Sequence, residues 1–243
     1  KLSKRKNIKI IEDCAHAVGT SYKGKHSGNF GDVGCYSFYP TKQITTGEGG
    51  VIITNEKKII NKIRILKALG VNTPPELRKK QGIYDVTNLG LNYRLTDFQA
   101  ALAIGQILRY KKNINNRQKN AKKFIKFFSK LSKIKFQKFD KNHSYFVFQI
   151  FLSSEQSRNK VMEIFKKKKI GCSIHYATPV PLMTYYKNKY GFKQKQIKLP
   201  FEVFEFKYPL ILDNTFREEI FPKLQDFPIR LTQVAKMSVM EMI

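Results

Sequence analysis

Tryptophan is absent from the 243 residues, only three are cysteine, and 18 acidic side chains face 46 lysines and arginines. Cys14, Cys35 and Cys172 form no CxxC pair and sit among apolar or small neighbours, which favours buried free thiols over a disulfide frame or a zinc site. No run approaches the roughly 18 consecutive apolar residues of a membrane span, and the opening KLSKRKNIKI lacks the apolar core of a signal peptide. No membrane partner is therefore expected, and the cytoplasm is the expected compartment. The shortage of acid leaves a formal charge of +28, a balance that ordinarily points to nucleic acid. Against that, only nine of the basic residues are arginine and the chain is rich in Ile and Asn, a profile that AT-rich codon usage produces without selection for binding. The densest block, Arg109 to Lys138, contains no Asp or Glu, and Phe124, Phe127, Phe128 and Leu131 recur in it at helical spacing. It reads as an amphipathic helix with a solvated basic face. RNA-binding aromatic signatures are missing, so nucleic acid is not the expected partner.

Several familiar sites are missing too. GEGGVI lacks the last glycine of a dinucleotide fingerprint, no G-K-[ST] follows a glycine loop, and no G-x-S-x-G elbow occurs. Asp13, His16 and Ser37 could be assembled into a triad on paper, but residue types without geometry are poor evidence for one.

With 42% hydrophobic residues the chain can bury a sizeable core. NIKIIEDC predicts a short buried strand ending at Asp13, SYKGKHSG a turn between extended pieces, and GDVGCYSFYP and VIITN two further strands. EKKIINKIRILKAL predicts a helix with Ile59, Ile60, Ile63, Leu66 and Leu69 inward, which makes the alternation that of an α/β domain. Thr96 and Gln99 have capping-box spacing, so a helix begins there and runs, with a break near NINN, into the basic helix. SYFVFQIFL, SRNKVMEIFKKKKI and GCSIHY then read as strand, helix and strand of a small α+β domain. The expected division is 1–124 and 125–243.

The stretch SFYPTKQITTGEGG carries the chemistry. Lys42 follows a strand and precedes Gly47, Glu48, Gly49 and Gly50, a loop in which backbone can approach a ligand closely. Condensation with an aldehyde cofactor requires an amine that can be neutral, a carboxylate for a pyridine nitrogen, and donors for a phosphate. Lys42, held out of bulk water, can meet the first demand. Asp13, closing a strand at the edge where open α/β sheets bind ligands, can meet the second; a cap or turn carboxylate is the competing reading. Ser37 offers a hydroxyl to the phosphate, unless it merely satisfies backbone. Asn92 precedes a helix N-terminus, which favours anions, or is simply a loop residue.

EDCAHAVGTSYKGKHSGNFGDVGCYSFYPTKQITTGEGGVIITN and LGLNYRLTDFQAALAIGQI together resemble the two signature regions of the DegT/StrS-type sugar aminotransferases, pyridoxal-phosphate enzymes of fold type I. The likeness is dense over about residues 7 to 110 and continues more weakly through HSYFVFQI and IHYATPVPLMTYY. It implies an incomplete fold-type I large domain followed by a small α+β C-terminal domain. It also implies Lys42 as the lysine that condenses with pyridoxal 5'-phosphate, Asp13 as the partner of the pyridine nitrogen, His16 as a residue packed near the ring, and Ser37 as a phosphate ligand. Asn92 matches the residue that such homodimers send to the neighbouring subunit's phosphate, and His175 stands where family members touch the sugar nucleotide; a strand histidine satisfied by packing is the competing reading of the latter.

The implied reaction takes an amino group from glutamate and delivers it to a keto group on a nucleotide-linked sugar, with Lys42 as the general base, in amino-sugar or surface-polysaccharide synthesis. Lys42 argues against the family's dehydrating branch, which has histidine there. Tyr39 stands where many relatives have histidine, which bears on substrate detail. The likeness begins well inside the family's large domain, so the chain is expected to be an N-terminally truncated fragment that binds cofactor poorly and turns over little by itself. From about Phe201 the Phe-rich tail departs from the family ending, through divergence, a reading-frame error or a different terminal packing. A non-catalytic basic scaffold or nucleic-acid binder that kept the fold is the alternative.

Overall fold

The computed structural model describes residue 6 and residues 8–132, 134–175, 177–193 and 208–213. The chain divides into two compact units, 1–115 with 142–146 and 116–141 with 147–243.

In the first unit a three-stranded sheet has the order β1 (Ile11–Asp13), β4 (Val33–Ser37), β5 (Gly50–Ile53). β1 and β4 run parallel with Asp13 opposite Cys35, and β5 returns antiparallel with Gly50 opposite Ser37. Asp13, Ser37 and Gly50 therefore lie toward one end of the sheet, the carboxyl end of the parallel pair. Between β1 and β4 a two-residue turn at Lys23 and Gly24, both at positive φ, joins β2 (Ser21–Tyr22) to β3 (Lys25–His26). Positive φ at both central residues suits the right-handed twist of a tight hairpin.

The expectation of a buried first strand fails. Ile11 is 70% exposed, and Ile8 and Ile10 are exposed as well. Among the described residues β1 pairs on one side only, with β4, so its apolar run is not enclosed. Helix α1 (Lys57–Leu66) half-buries Ile59, Ile60, Ile63 and Leu66. Leu69, expected on the inner side of this helix, lies past its end at φ +63 and is exposed.

Helix α2 (Asp97–Phe128) starts at the predicted capping box. The Thr96 hydroxyl accepts from the Gln99 N–H at 3.2 Å, and the Gln99 side-chain oxygen accepts from the Thr96 N–H at 3.1 Å. The expected break at NINN does not occur, because those four residues include no proline or glycine and both Tyr110 and Ile114 continue the inward face. In the first unit, Phe38, Ile44 and Ala103 form a buried cluster against which Val18 and Tyr110 pack.

The second unit carries an antiparallel sheet of order β6 (Lys135–Phe136), β7 (Val147–Leu152), β9 (Tyr208–Asp213), β8 (Cys172–Ser173). In β7, Phe148, Ile150 and Leu152 alternate inward, as a strand buried on one face requires. Phe124 and Phe128 of the basic helix bury completely and stack near Phe148, with centroids 5.1 and 6.1 Å away. Helix α3 (Glu155–Lys167) is capped by Ser154, whose hydroxyl accepts from the Ser157 N–H, and buries Val161 and Phe165. A short helix α4 (Thr184–Tyr190) follows. β9 arises inside the stretch expected to be atypical; the rest of that tail, 201–207 and 214–243, lies outside the described residues.

Candidate active site

The site grows from the carboxyl end of β1 and β4. A turn brings the chain round at Pro40, with the Lys42 N–H donating to the Tyr39 carbonyl at 2.9 Å. Proline presets the φ such a turn needs at its second position. Helix α2 then fixes the loop beyond Lys42. Gln106 accepts from the Thr45 N–H at 3.0 Å and donates to the Thr45 carbonyl, while Gln99 donates to the Glu48 carbonyl at 2.8 Å. Gly47 and Gly49 take φ of +80 and +142, values that favour glycine.

The half-buried Lys42 places its amine 2.7 Å from Nε2 of His16. The His16 ring stacks on Phe146 with centroids 4.2 Å apart and planes inclined by 23°, and the Lys42 amine lies 5.6 Å from the Phe146 centroid. Among the described residues the amine thus has an imidazole, not a carboxylate, as its hydrogen-bonding partner. One Asp13 oxygen accepts from the Ala15 N–H at 3.0 Å and the other has no partner among the described residues. Ser37 accepts from the Tyr39 N–H at 3.3 Å, and its own proton has no acceptor among the described residues. The buried side-chain oxygen of Gln43, next to Lys42, also lacks a partner.

Of the six sequence candidates, the structure joins His16 and Lys42 directly and sets Asp13 and Ser37 at the same sheet end. Asn92 is exposed and bonds instead to Arg94, accepting from its Nε at 3.0 Å. His175 belongs to the second unit, just after β8, and is exposed.

Sequence reasoning missed Glu12 and Phe146. The Glu12 carboxylate accepts three backbone N–H bonds, from Gly28 at 2.8 Å, Phe30 at 2.5 Å and Gly31 at 2.6 Å. Burial pushes this carboxyl up, but the N–H groups of Gly31, Gly28 and Phe30 more than offset it, and the net shift is below the ordinary carboxylate value. Glu12 thereby clamps the loop before β4 to the strand that ends in Asp13. Burial pushes the Cys14 thiol up, which removes it as a competing nucleophile beside Asp13. Cys14, Cys35 and Cys172 are all free; Cys14 is buried, while the other two are half-buried where full burial was expected.

The donor set suits pyridoxal phosphate: an amine for the aldehyde, a carboxylate oxygen still open for a pyridine nitrogen, and a hydroxyl proton still open for a phosphate.

The fold is that of the fold-type I pyridoxal-phosphate-dependent aminotransferases. Spr1654 of Streptococcus pneumoniae, assigned as a sugar aminotransferase and solved in its PMP form, superposes with a TM-score of 0.81 at 26% identity, over 98% of this chain and 61% of that one. The chain belongs to the DegT/DnrJ/EryC1/StrS aminotransferase family, whose sequence profile matches residues 1–205. It is 34% identical over 195 residues to the UDP-4-amino-4,6-dideoxy-N-acetyl-beta-L-altrosamine transaminase of Campylobacter jejuni, covering 78% of this chain and 50% of that protein. It is 33% identical over 190 residues to the GDP-perosamine synthase of Escherichia coli O157:H7, again covering 78% and 50%. The chain spans about half the length of these curated relatives.

Proposed function

We propose that this chain carries the lysine and aspartate of a pyridoxal-phosphate aminotransferase site that moves an amino group from glutamate to a keto sugar linked to a nucleotide. The single observation that carries the reading is the Lys42 amine, half-buried and 2.7 Å from an imidazole, at the carboxyl end of the parallel strands. Family membership and the names of two relatives, one UDP-linked and one GDP-linked, support nucleotide sugars as the substrate class. When bound, the cofactor supplies an aldehyde to receive the amine and a ring that draws electrons from the substrate's α-carbon.

The chain's own residues do the rest. The Lys42 amine takes the proton released at the α-carbon and returns it, acting as the general base, and His16 is its hydrogen-bond partner. The open Asp13 oxygen holds the proton on the pyridine nitrogen, and the Ser37 hydroxyl donates to the phosphate. Asn92 serves the neighbouring subunit's phosphate, and His175 touches the sugar nucleotide. A donor and acceptor screen read by product mass tests the assignment. Amination of a nucleotide-linked keto sugar with glutamate, abolished by Lys42→Ala, is the expected result; amine transfer that persists in Lys42→Ala contradicts it.

A homodimer fits the surface of the first unit. Leu89 is 96% exposed, Phe98 75% and Leu108 80%, with Tyr93 also exposed beside Asn92. Apolar side chains this exposed suit burial against a partner surface, and a second copy is the occupant proposed. Sedimentation equilibrium is expected to give twice the chain mass, falling to one in a Phe98→Lys, Leu108→Lys double variant; a wild-type monomer refutes it. No helix among the described residues is long and apolar enough to cross a membrane. The three free thiols suit a reducing, cytoplasmic setting.

A further inference from the structure

The five residues 142–146 stand, in sequence, between two stretches of the second unit, yet they group with the first. Hydrogen bonds hold them there. The Ser21 N–H donates to the Asn142 carbonyl at 2.9 Å, and the Thr20 hydroxyl donates to the Ser144 hydroxyl at 2.9 Å. The Ser144 N–H donates to the Thr20 hydroxyl at 3.3 Å, and the Gln43 amide donates to the Ser144 carbonyl at 3.2 Å. Ser144 and Tyr145 are fully buried. The segment is thus tied both to the loop that carries His16 and to the neighbour of Lys42.

Tyr145 sits at φ +48, a left-handed backbone that a bulky side chain avoids unless its surroundings impose it. The next residue is Phe146, whose ring face lies against His16 and within 5.6 Å of the Lys42 amine. A tightly held and strained segment thus ends on a ring that touches both members of the pair.

We propose that Phe146 is a positioning residue for Lys42: by stacking on His16 it aims Nε2 at the lysine amine, so that the imidazole can take the ammonium proton. The proposal rests on reading Lys42 as the cofactor lysine. In the step, one N–H bond of the Lys42 ammonium breaks and one forms at Nε2, leaving a neutral amine and an imidazolium. The π face of Phe146 attracts positive charge on either nitrogen. Moving the proton therefore does not forfeit that attraction. A leucine fills similar space but has no such face and no plane to align the imidazole.

Three variants test the role in the 243-residue chain: Phe146→Leu, Phe146→Tyr as the conservative rescue, and Thr20→Val, which loosens the segment without touching the ring. The first readout needs no cofactor. In protein labelled at histidine, the His16 ring-nitrogen resonances are expected to move in Phe146→Leu and to return toward wild type in Phe146→Tyr. The second is the pH profile of borohydride trapping of pyridoxal phosphate at Lys42. In Phe146→Leu the rate near pH 7 is expected to fall about tenfold, because the pair is no longer held in line. Phe146→Tyr restores it, and Thr20→Val shifts it the same way by less.

If Phe146→Leu does not fold, Thr20→Val carries the test, and a wild-type profile there overturns the proposal. Unchanged His16 resonances and an unchanged profile in folded Phe146→Leu overturn it, as does a tyrosine variant displaced as far as the leucine one. Absence of wild-type trapping at Lys42 sinks the cofactor reading itself, while the His16 resonances still decide the stacking.

Discussion

Replacing Glu12 with glutamine tests how the sheet end that carries Asp13 is held. One carboxylate oxygen accepts from Phe30 and Gly31 and the other from Gly28. The glutamine carbonyl can keep the first two partners, but its NH2 then faces the Gly28 N–H, donor against donor. An orphaned N–H costs about 1–3 kcal/mol, and the two surviving bonds drop from charge-assisted to neutral strength, about 1 kcal/mol each. Because the group is only half-buried, a loss of about 3 kcal/mol is expected, which lowers Tm by roughly 9 °C in a chain of this size. Urea melts followed by circular dichroism measure the loss, and amide exchange at Gly28, Phe30 and Gly31 locates it. The pH dependence follows from the depressed folded-state value. The Glu12 contribution is present above the unfolded carboxyl value of about 4.3 and disappears as pH falls through the lower folded one. The gap between wild type and Glu12→Gln therefore narrows in acid. A variant as stable as wild type at pH 7, with unchanged exchange at the three amides, would refute the clamp.

Three other perturbations have defined outcomes. Gly34→Ala puts a methyl 2.5 Å from the Gly28 Cα and 2.7 Å from its carbonyl oxygen, both backbone, so a loss of about 3 kcal/mol is expected in denaturant melts. Thr96→Val removes the hydroxyl that caps α2 and costs about 1 kcal/mol, while Thr96→Ser retains most of it by the same assay. Phe124→Ala empties a fully buried site beside Phe128 and Phe148 and is expected to cost about 3–5 kcal/mol.

What could be read from the sequence was local. The Thr96–Gln99 box depends on two residues three apart, and it forms as expected. Lys42 between a strand and glycines, and Asp13 at a strand end, are likewise short-range patterns, and they fall at one end of the sheet. Non-local placement was not legible. Phe146 reads as part of a strand run in SYFVFQIFL, and nothing in its spacing says that it crosses to His16, 130 positions earlier in the chain. Glu12 is an alternating polar residue until the loop from Gly28 to Gly31 folds over it. Ile10 and Ile11 carry the pattern of a buried strand, but burial depends on neighbours on both sides, and pairing on one side only among the described residues leaves them exposed. The Asn-rich stretch of α2 suggested a break through weak helix propensity, which the continuing apolar face outweighed.

Lys42 is expected to differ in reactivity from the many surface lysines around it. Incubation with pyridoxal phosphate, reduction with borohydride and peptide mass mapping tests this directly, because covalent capture does not require tight binding. A pyridoxyl adduct is expected to concentrate on Lys42, at a cofactor concentration that leaves the lysines of α2 unmodified, and to be lost in Lys42→Arg. Adducts scattered over the exposed lysines with Lys42 unlabelled would contradict it.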